Sequence, residues 1–303
     1  DDDGTLLDRL ATLSREQWRA LEPVAVAMLG KVRGDARTAL VALLERRGVV
    51  HRALRDTRRR RPTTRARAAH LLGLVGGPGA TPRLAALLGD RDPGVRAVAA
   101  RSLGRLGDPS AATPLVRALS RAGSLPHQVV VPALARIGPA SRTALLAAAD
   151  HPDPAVRARV TEALGLVGAV DTAPRLVRSL GEDPAADVRL RAARALGRLG
   201  APSAVGPLLA ATGPDEPTAL RVTAAQALGV LGARRAIPVL AGLVADPHHW
   251  VAHTAAAALV AVGPDGTAAL RDLADATPGG RADRPASAHA REALAAARGA
   301  VAA

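Results

Sequence analysis

His249 and His253 stand four residues apart at the head of a helical stretch, beside His248 and Trp250. That spacing puts two imidazoles on one helix face, as a zinc site requires. The chain has no cysteine to complete a ligand set and no His-Glu-x-x-His pattern. We therefore expect no metal and no cofactor here, with Trp250 sealing a layer or anchoring a partner, a role in which tryptophan is favoured. Covalent and acid–base chemistry find no better footing. No nucleophile elbow, P-loop, dinucleotide glycine fingerprint or paired-carboxylate motif is present, and the few acids fall mostly in turns. The chain reads as a non-enzyme.

Arginine is the residue that remains. The formal net charge is +14, and Lys31 is the only lysine among 41 basic residues. Residues 46–67 hold ten arginines against one acid, Asp56, so most of the excess sits near one end. Within it, Arg58, Arg59, Arg60 and Arg61 are candidates for phosphate contacts, with nucleic acid or with lipid headgroups. No aromatic stacking platform lies near the run, and a solvated helix end or loop is the competing reading. The arginine bias also suits a GC-rich bacterial genome, so composition alone does not assign the charge to function.

A repeat must position these side chains. A glycine closes a Leu-Gly-x-Leu-Gly-like run at Gly76, Gly107, Gly138, Gly168, Gly200, Gly232 and Gly263, at spacings of 30 to 32 residues. A leucine four positions earlier keeps the same beat, from Leu72 and Leu103 to Leu259. Such a period means a solenoid, because one unit cannot bury its apolar face alone. Each unit reads as two helices. Val95, Ala99, Leu103 and Leu106 share a helix face, and Pro114, Leu115 and Leu119 belong to the other helix. Both glycines of the run are taken to end helices, where glycine adopts the left-handed conformation.

The prolines Pro82, Pro114, Pro174, Pro207 and Pro238, with aspartate and Val-Arg six residues apart (Asp90 with Arg96, Asp183 with Arg189, Asp215 with Arg221), carry a family resemblance. Over roughly residues 64–276 the chain resembles the HEAT repeat family, in the short bacterial form also found in phycobilin-lyase-type proteins. The resemblance implies an all-α fold, a right-handed solenoid of stacked antiparallel helix pairs. It also implies that Arg96, Arg157, Arg189 and Arg221 bond to acids of neighbouring repeats as a structural ladder. Second helices would line the concave side. Their outward positions give Arg67, His70, Arg101, Arg105, Pro132, Arg136, Arg159, Glu162, Arg191, Arg194, Arg198 and Gln226 as a basic partner-binding stripe. Arg83 and Arg117, on first helices, should face the other way. The metal-binding His-Glu pairs of the family's hydroxylases are missing. Three copies depart from the pattern, with His127 and Ala252 at arginine positions and His151 at an aspartate position, and Pro132 should kink its helix.

Residues 1–61 read as an N-terminal cap with degenerate repeats, 62–277 as the array of about seven units, and 278–303 as a Pro/Gly loop with a capping helix. Leu6, Leu7, Leu10 and Leu13 make an amphipathic turn or two, and Ser14 with Gln17 has capping-box spacing. Pro23 should kink the helix that follows. Asp35 should cap a helix over 36–47, and another should run from Val49 to about Arg60. The function expected is a monomeric scaffold or adaptor gripping an acidic protein surface or helix. The alternatives are a nucleic-acid-binding protein, and a soluble arm of a membrane complex whose anchor preceded Asp1. The expected location is the cytoplasm, with or without membrane association.

Overall fold

The computed structural model describes residues 10, 12–120, 126–275 and 283–302; Leu6, Leu7 and residues 278–282 of the Pro/Gly loop lie outside them. The described residues form helices and turns with no strand, an all-α solenoid architecture. The chain divides into two compact units, Asp1–Ala144 and Leu145–Ala303.

In the first unit, α1 (Arg15–Met28), α2 (Gly34–Arg46) and α3 (Val49–Asp56) precede the regular pairs. The Ser14–Gln17 capping box forms as expected, and α1 runs on through Pro23. Trp18 is buried, its Nε1–H donating to Glu22 at 2.7 Å, with the Arg47 guanidinium 4.9 Å from the ring centre. Asp35 does not cap α2. The helix begins two residues earlier than expected, at Gly34 after the N-cap Arg33, so the carboxylate sits in the first turn, where the helix dipole favours it. The helix α3 stops at Asp56, short of the arginine run.

The pairs follow: α4 (Pro62–Val75), α5 (Ala80–Leu87), α6 (Pro93–Leu106), α7 (Ala112–Leu119) and α8 (His127–Ile137). The last continues through Pro132 to the glycine that ends it. After a short helix, α9 (Arg142–Ala147), the second unit holds α10 (Pro154–Val167), α11 (Ala173–Glu182), α12 (Ala186–Leu199), α13 (Val205–Ala210), α14 (Thr218–Val230), α15 (Ile237–Leu243), α16 (His249–Val262), α17 (Pro264–Asp275) and α18 (Asp283–Ala302). The final helix begins at Asp283 and packs on α16 and α17. Residues 128–147 are long and apolar enough on composition to cross a membrane, but a 3-10 turn at Gly138–Ser141 breaks them into α8 and α9.

Long and short helices do different work. In each unit successive long helices lie against one another, while successive short helices barely touch. Glycine explains the difference. The first glycine of each Leu-Gly-x-Leu-Gly run does not end a helix, contrary to the sequence reading; it lies inside the helix and faces the next long helix. A Cβ on Gly104 would stand 2.6 Å from Ala133 Cα, and one on Gly165 2.7 Å from Ala195 Cα. Only the second glycine of each run closes a helix, with positive φ at Gly107, Gly168 and Gly200. In each unit the helix at the end of this stack carries a larger residue there, Ala135 in α8 and Val260 in α16. Gly104→Ala is therefore expected to cost about 1–3 kcal/mol by forcing α6 from α8. Gly242→Ala, whose Cβ meets nothing within 4 Å in α15, should stabilise by about 0.4–1 kcal/mol. Urea melts of the two variants check the contrast.

Four arginines tie a repeat to the next, while Arg96, expected in the same ladder, donates to the carbonyls of Asp90 and Arg91 in its own turn. In the first unit Arg65 donates both Nε–H and an Nη–H to Asp90, each at 2.7 Å. In the second, Arg157 grips Asp183 at 2.8 and 2.9 Å, Arg189 bonds Glu216 at 3.0 Å, and Arg221 bonds Asp246. In every case the acid lies in the turn before the next long helix. Two sequence assignments change. Arg65 belongs to the ladder rather than to the solvated basic run, and the partner in the Glu182–Thr218 repeat is Glu216, with Asp215 left exposed. The three aspartates also order their own turns, since Asp90, Asp183 and Asp246 accept the backbone N–H two residues on. His151 does the same with its Nδ1, accepting from Asp153 N–H at 3.1 Å, so a ring nitrogen replaces the carboxylate in that turn.

The hydrogen bonds from Arg65 hold the Asp90 carboxyl below its usual range. At Asp183 burial pushes upward, but the Arg157 hydrogen bond, the Ala185 N–H and the nearby guanidinium charges outweigh it, and the net shift is also downward. A carboxyl with a lowered native pKa adds stability above its unfolded value, near 3.9, and loses it as pH falls through the native value. The melting temperature should thus hold steady above about pH 5 and fall steeply below about pH 4. An Asp90→Asn, Asp183→Asn variant should begin lower and fall less over the same range, as thermal melts from pH 7 to pH 2 would show.

Candidate partner-binding face

A long helix in this arrangement is covered on three sides, by its short partner and by the long helices before and after it. The fourth side, opposite the short helix, is left to solvent. In α6 the covered positions include Val95, Ala99, Ala100, Ser102, Leu103 and Gly104, and the open ones are Arg101 and Arg105. The same reasoning leaves Arg67 and His70 open on α4, and Pro132 and Arg136 on α8. All six are exposed. Close Gly–Ala contacts hold the long helices together, and their open side faces away from the short helices.

In the first unit this face is uncompensated. Arg67, Arg101, Arg105 and Arg136 carry no ion pair among the described residues. The His70 imidazole is held below its ordinary pKa by partial burial and then by the Arg105 charge on the next helix. His70 is therefore a neutral hydrogen-bonding group at physiological pH, flanked by guanidinium groups.

The second unit differs. Arg191 is half-buried and already engaged, donating to Glu162 at 2.6 Å and to Asp187 at 3.0 Å. Arg159 is half-buried and has a partner as well. Arg194, Arg198 and Gln226 remain open. On the helices before and after Arg198 stand Leu166, 39% exposed, and Val230, 66% exposed, at the repeat phase that holds Arg105 and Arg136 in the first unit. Sequence reasoning, which looked for charge at this phase, passed over both; their signal was the same register.

The remaining candidates scatter. Arg58, Arg59, Arg60 and Arg61 are all exposed. Arg59 reaches Asp56 at 3.4 Å, the carbonyls of Arg59 and Arg60 accept from Arg65, and Arg61 is the N-cap of α4. Arg83 is not the free outward arginine expected of a first helix, because it is half-buried and donates to Thr57 Oγ1; Arg117 is exposed. Trp250 is 67% exposed and so seals no layer. It packs edge-on against His249 and His253, and His249 Nδ1 lies 3.0 Å from His289 Nε2 on α18. Among the described residues the histidines and acids form no group able to hold a metal ion.

Comparison with known proteins agrees with this architecture. The family described as HEAT repeats matches residues 51–135, 124–197, 141–218, 182–261 and 206–295. No curated protein matches the chain. Among solved structures, Kap121p bound to Nup53p is 12% identical at a TM-score of 0.59, over 97% of this chain and 38% of that one. The complex of CpcE and CpcF of phycocyanin lyase from Nostoc sp. is 22% identical at a TM-score of 0.38, over 82% of this chain and 94% of that one. Human deoxyhypusine hydroxylase is 22% identical at a TM-score of 0.33, over 82% and 95%.

Proposed function

The chain belongs to the HEAT repeat family, and from that premise we propose that it is a non-catalytic scaffold whose first unit grips an acidic protein surface or helix. One observation carries the reading. Successive long helices of that unit present Arg67, Arg101, Arg105 and Arg136 to solvent, with no ion pair to a carboxylate among the described residues. Guanidinium forks suit carboxylates, and a basic row speeds encounter with an acidic partner. Leu166 and Val230 give the second unit an apolar complement. That Kap121p, a chain of this fold, is found bound to Nup53p and to Pho4p supports a protein partner.

Binding of an acidic amphipathic helical peptide and of duplex DNA, each titrated at about 50 and 200 mM salt, tests the proposal. Peptide binding should weaken modestly with salt. Binding of DNA alone, with a loss on the order of 10³-fold across that range, would instead identify a phosphate-backbone binder.

A further inference from the structure

The short-helix side of the first unit holds a second basic feature, separate from the face described above. Between α3 and α5 lies a cleft of about 450 Å³. His51, Arg55 and Arg58 line it from one side and Arg83 from the other, over a floor that includes Leu54 and Pro82. No carboxylate is among the lining residues. Asp56, the acid on the same helix, is turned to Arg59.

Arg83 is anchored in place. Its Nε–H donates to Thr57 Oγ1, and that buried hydroxyl donates in turn to Leu54 O at 2.7 Å. The other guanidinium nitrogens of Arg83 remain available. Burial and then the Arg58 charge bear on the group, lowering its pKa from the usual arginine value. Like charges gathered with no acid between them are a cost that a bound anion removes.

We propose that this cleft binds a phosphate monoester group carried on an apolar body. Three guanidinium groups and an imidazole exceed what one carboxylate can satisfy. A phosphate monoester brings nearly two negative charges and three acceptor oxygens, which match bidentate arginine donors. The apolar floor takes the organic part, so an aryl phosphate should bind more tightly than inorganic phosphate. The phosphate can come from a soluble organophosphate or from a lipid headgroup, since both present the same chemistry.

The test titrates phenyl phosphate and inorganic phosphate into the protein by calorimetry, and sediments the protein with phosphatidylcholine vesicles containing phosphatidic acid or phosphatidylserine. Arg55→Gln with Arg58→Gln removes two exposed arginines of the cleft. Arg59→Gln with Arg61→Gln removes the same charge from the neighbouring run. Phenyl phosphate should bind more tightly than inorganic phosphate, and the first pair should lose at least tenfold in affinity while the second loses less than twofold. Binding only to phosphatidic acid vesicles, with the same split between variants, assigns the site to a headgroup. Absence of binding in both arms, equal loss in both variant pairs, or equal uptake by phosphatidylserine vesicles would overturn the proposal.

Discussion

Reversing two charges on the open long-helix face of the first unit, Arg101→Glu with Arg105→Glu, is expected to weaken capture of an acidic helical partner at least tenfold, about 1.4 kcal/mol. The melting temperature should not change. Both side chains are exposed on α6 and hold no ion pair among the described residues, so the fold loses nothing when they go. The partner meets two repulsions in place of two attractions, and such changes act on encounter as well as on the bound state. Arg117→Glu with Arg178→Glu reverses the same charge on exposed positions of short helices and should leave affinity within twofold. The corresponding pair in the second unit, Arg191→Glu with Arg194→Glu, is a poorer probe. Arg191 holds Glu162 and Asp187, and reversal there would crowd three acids together and destabilise α12 as well. Affinity measured by fluorescence anisotropy, alongside circular dichroism melts, separates the two effects.

Removing a buried rung of the ladder should produce the largest loss of stability. Arg221 is 6% exposed, and the Asp246 side chain it bonds is 5% exposed. Arg221→Ala leaves that carboxylate buried without its cation and also orphans Thr212 O, so about 3–5 kcal/mol should be lost. Arg189→Ala removes a rung whose side chains are 21% and 27% exposed, where water can replace part of the interaction, and should cost about 1–2 kcal/mol. Arg221→Met combined with Asp246→Leu should recover most of the loss, because an apolar pair needs no desolvated charge. Chemical denaturation of the three variants gives the order. Equal losses at Arg189 and Arg221 would mean that burial does not govern the ladder.

The repeat was legible because its signals are local. Helix-ending glycines, the apolar stripe of each long helix and the proline of each short one act within a single turn of chain, and each predicts its element directly. The ladder was only half legible. The arginine and aspartate types were plain, and the resemblance implied bonds to a neighbouring repeat, but which acid each arginine meets, 25 to 27 residues on, is set by stacking. That is why Arg65 was counted with the solvated run and Asp215 was named in place of its neighbour Glu216. The mid-helix glycines were misread for the same reason. Gly104 and Gly165 answer to a helix one repeat away, and nothing in their own helix reports that contact. The open face was legible as a phase, and in the first unit the positions it names are exposed, while Arg159 and Arg191 of the second unit are half-buried. Its charge balance was not. Whether an arginine is free, as Arg105 is, or paired, as Arg191 is, depends on acids brought alongside by stacking. The cleft of Arg55, Arg58 and Arg83 joins α3 to α5, and only the fold sets those side chains around one space.

On the proposed function, a protein partner sits on the long-helix face of the first unit. Site-specific photo-cross-linking tests it directly, with a benzophenone amino acid placed at Arg105 in one protein and at Arg117 in another, each irradiated with the acidic helical peptide bound. The account predicts an adduct from position 105 that is competed away by unlabelled peptide, and none from position 117. Cross-linking from 117 but not from 105 would contradict it, as would adducts of equal yield from both.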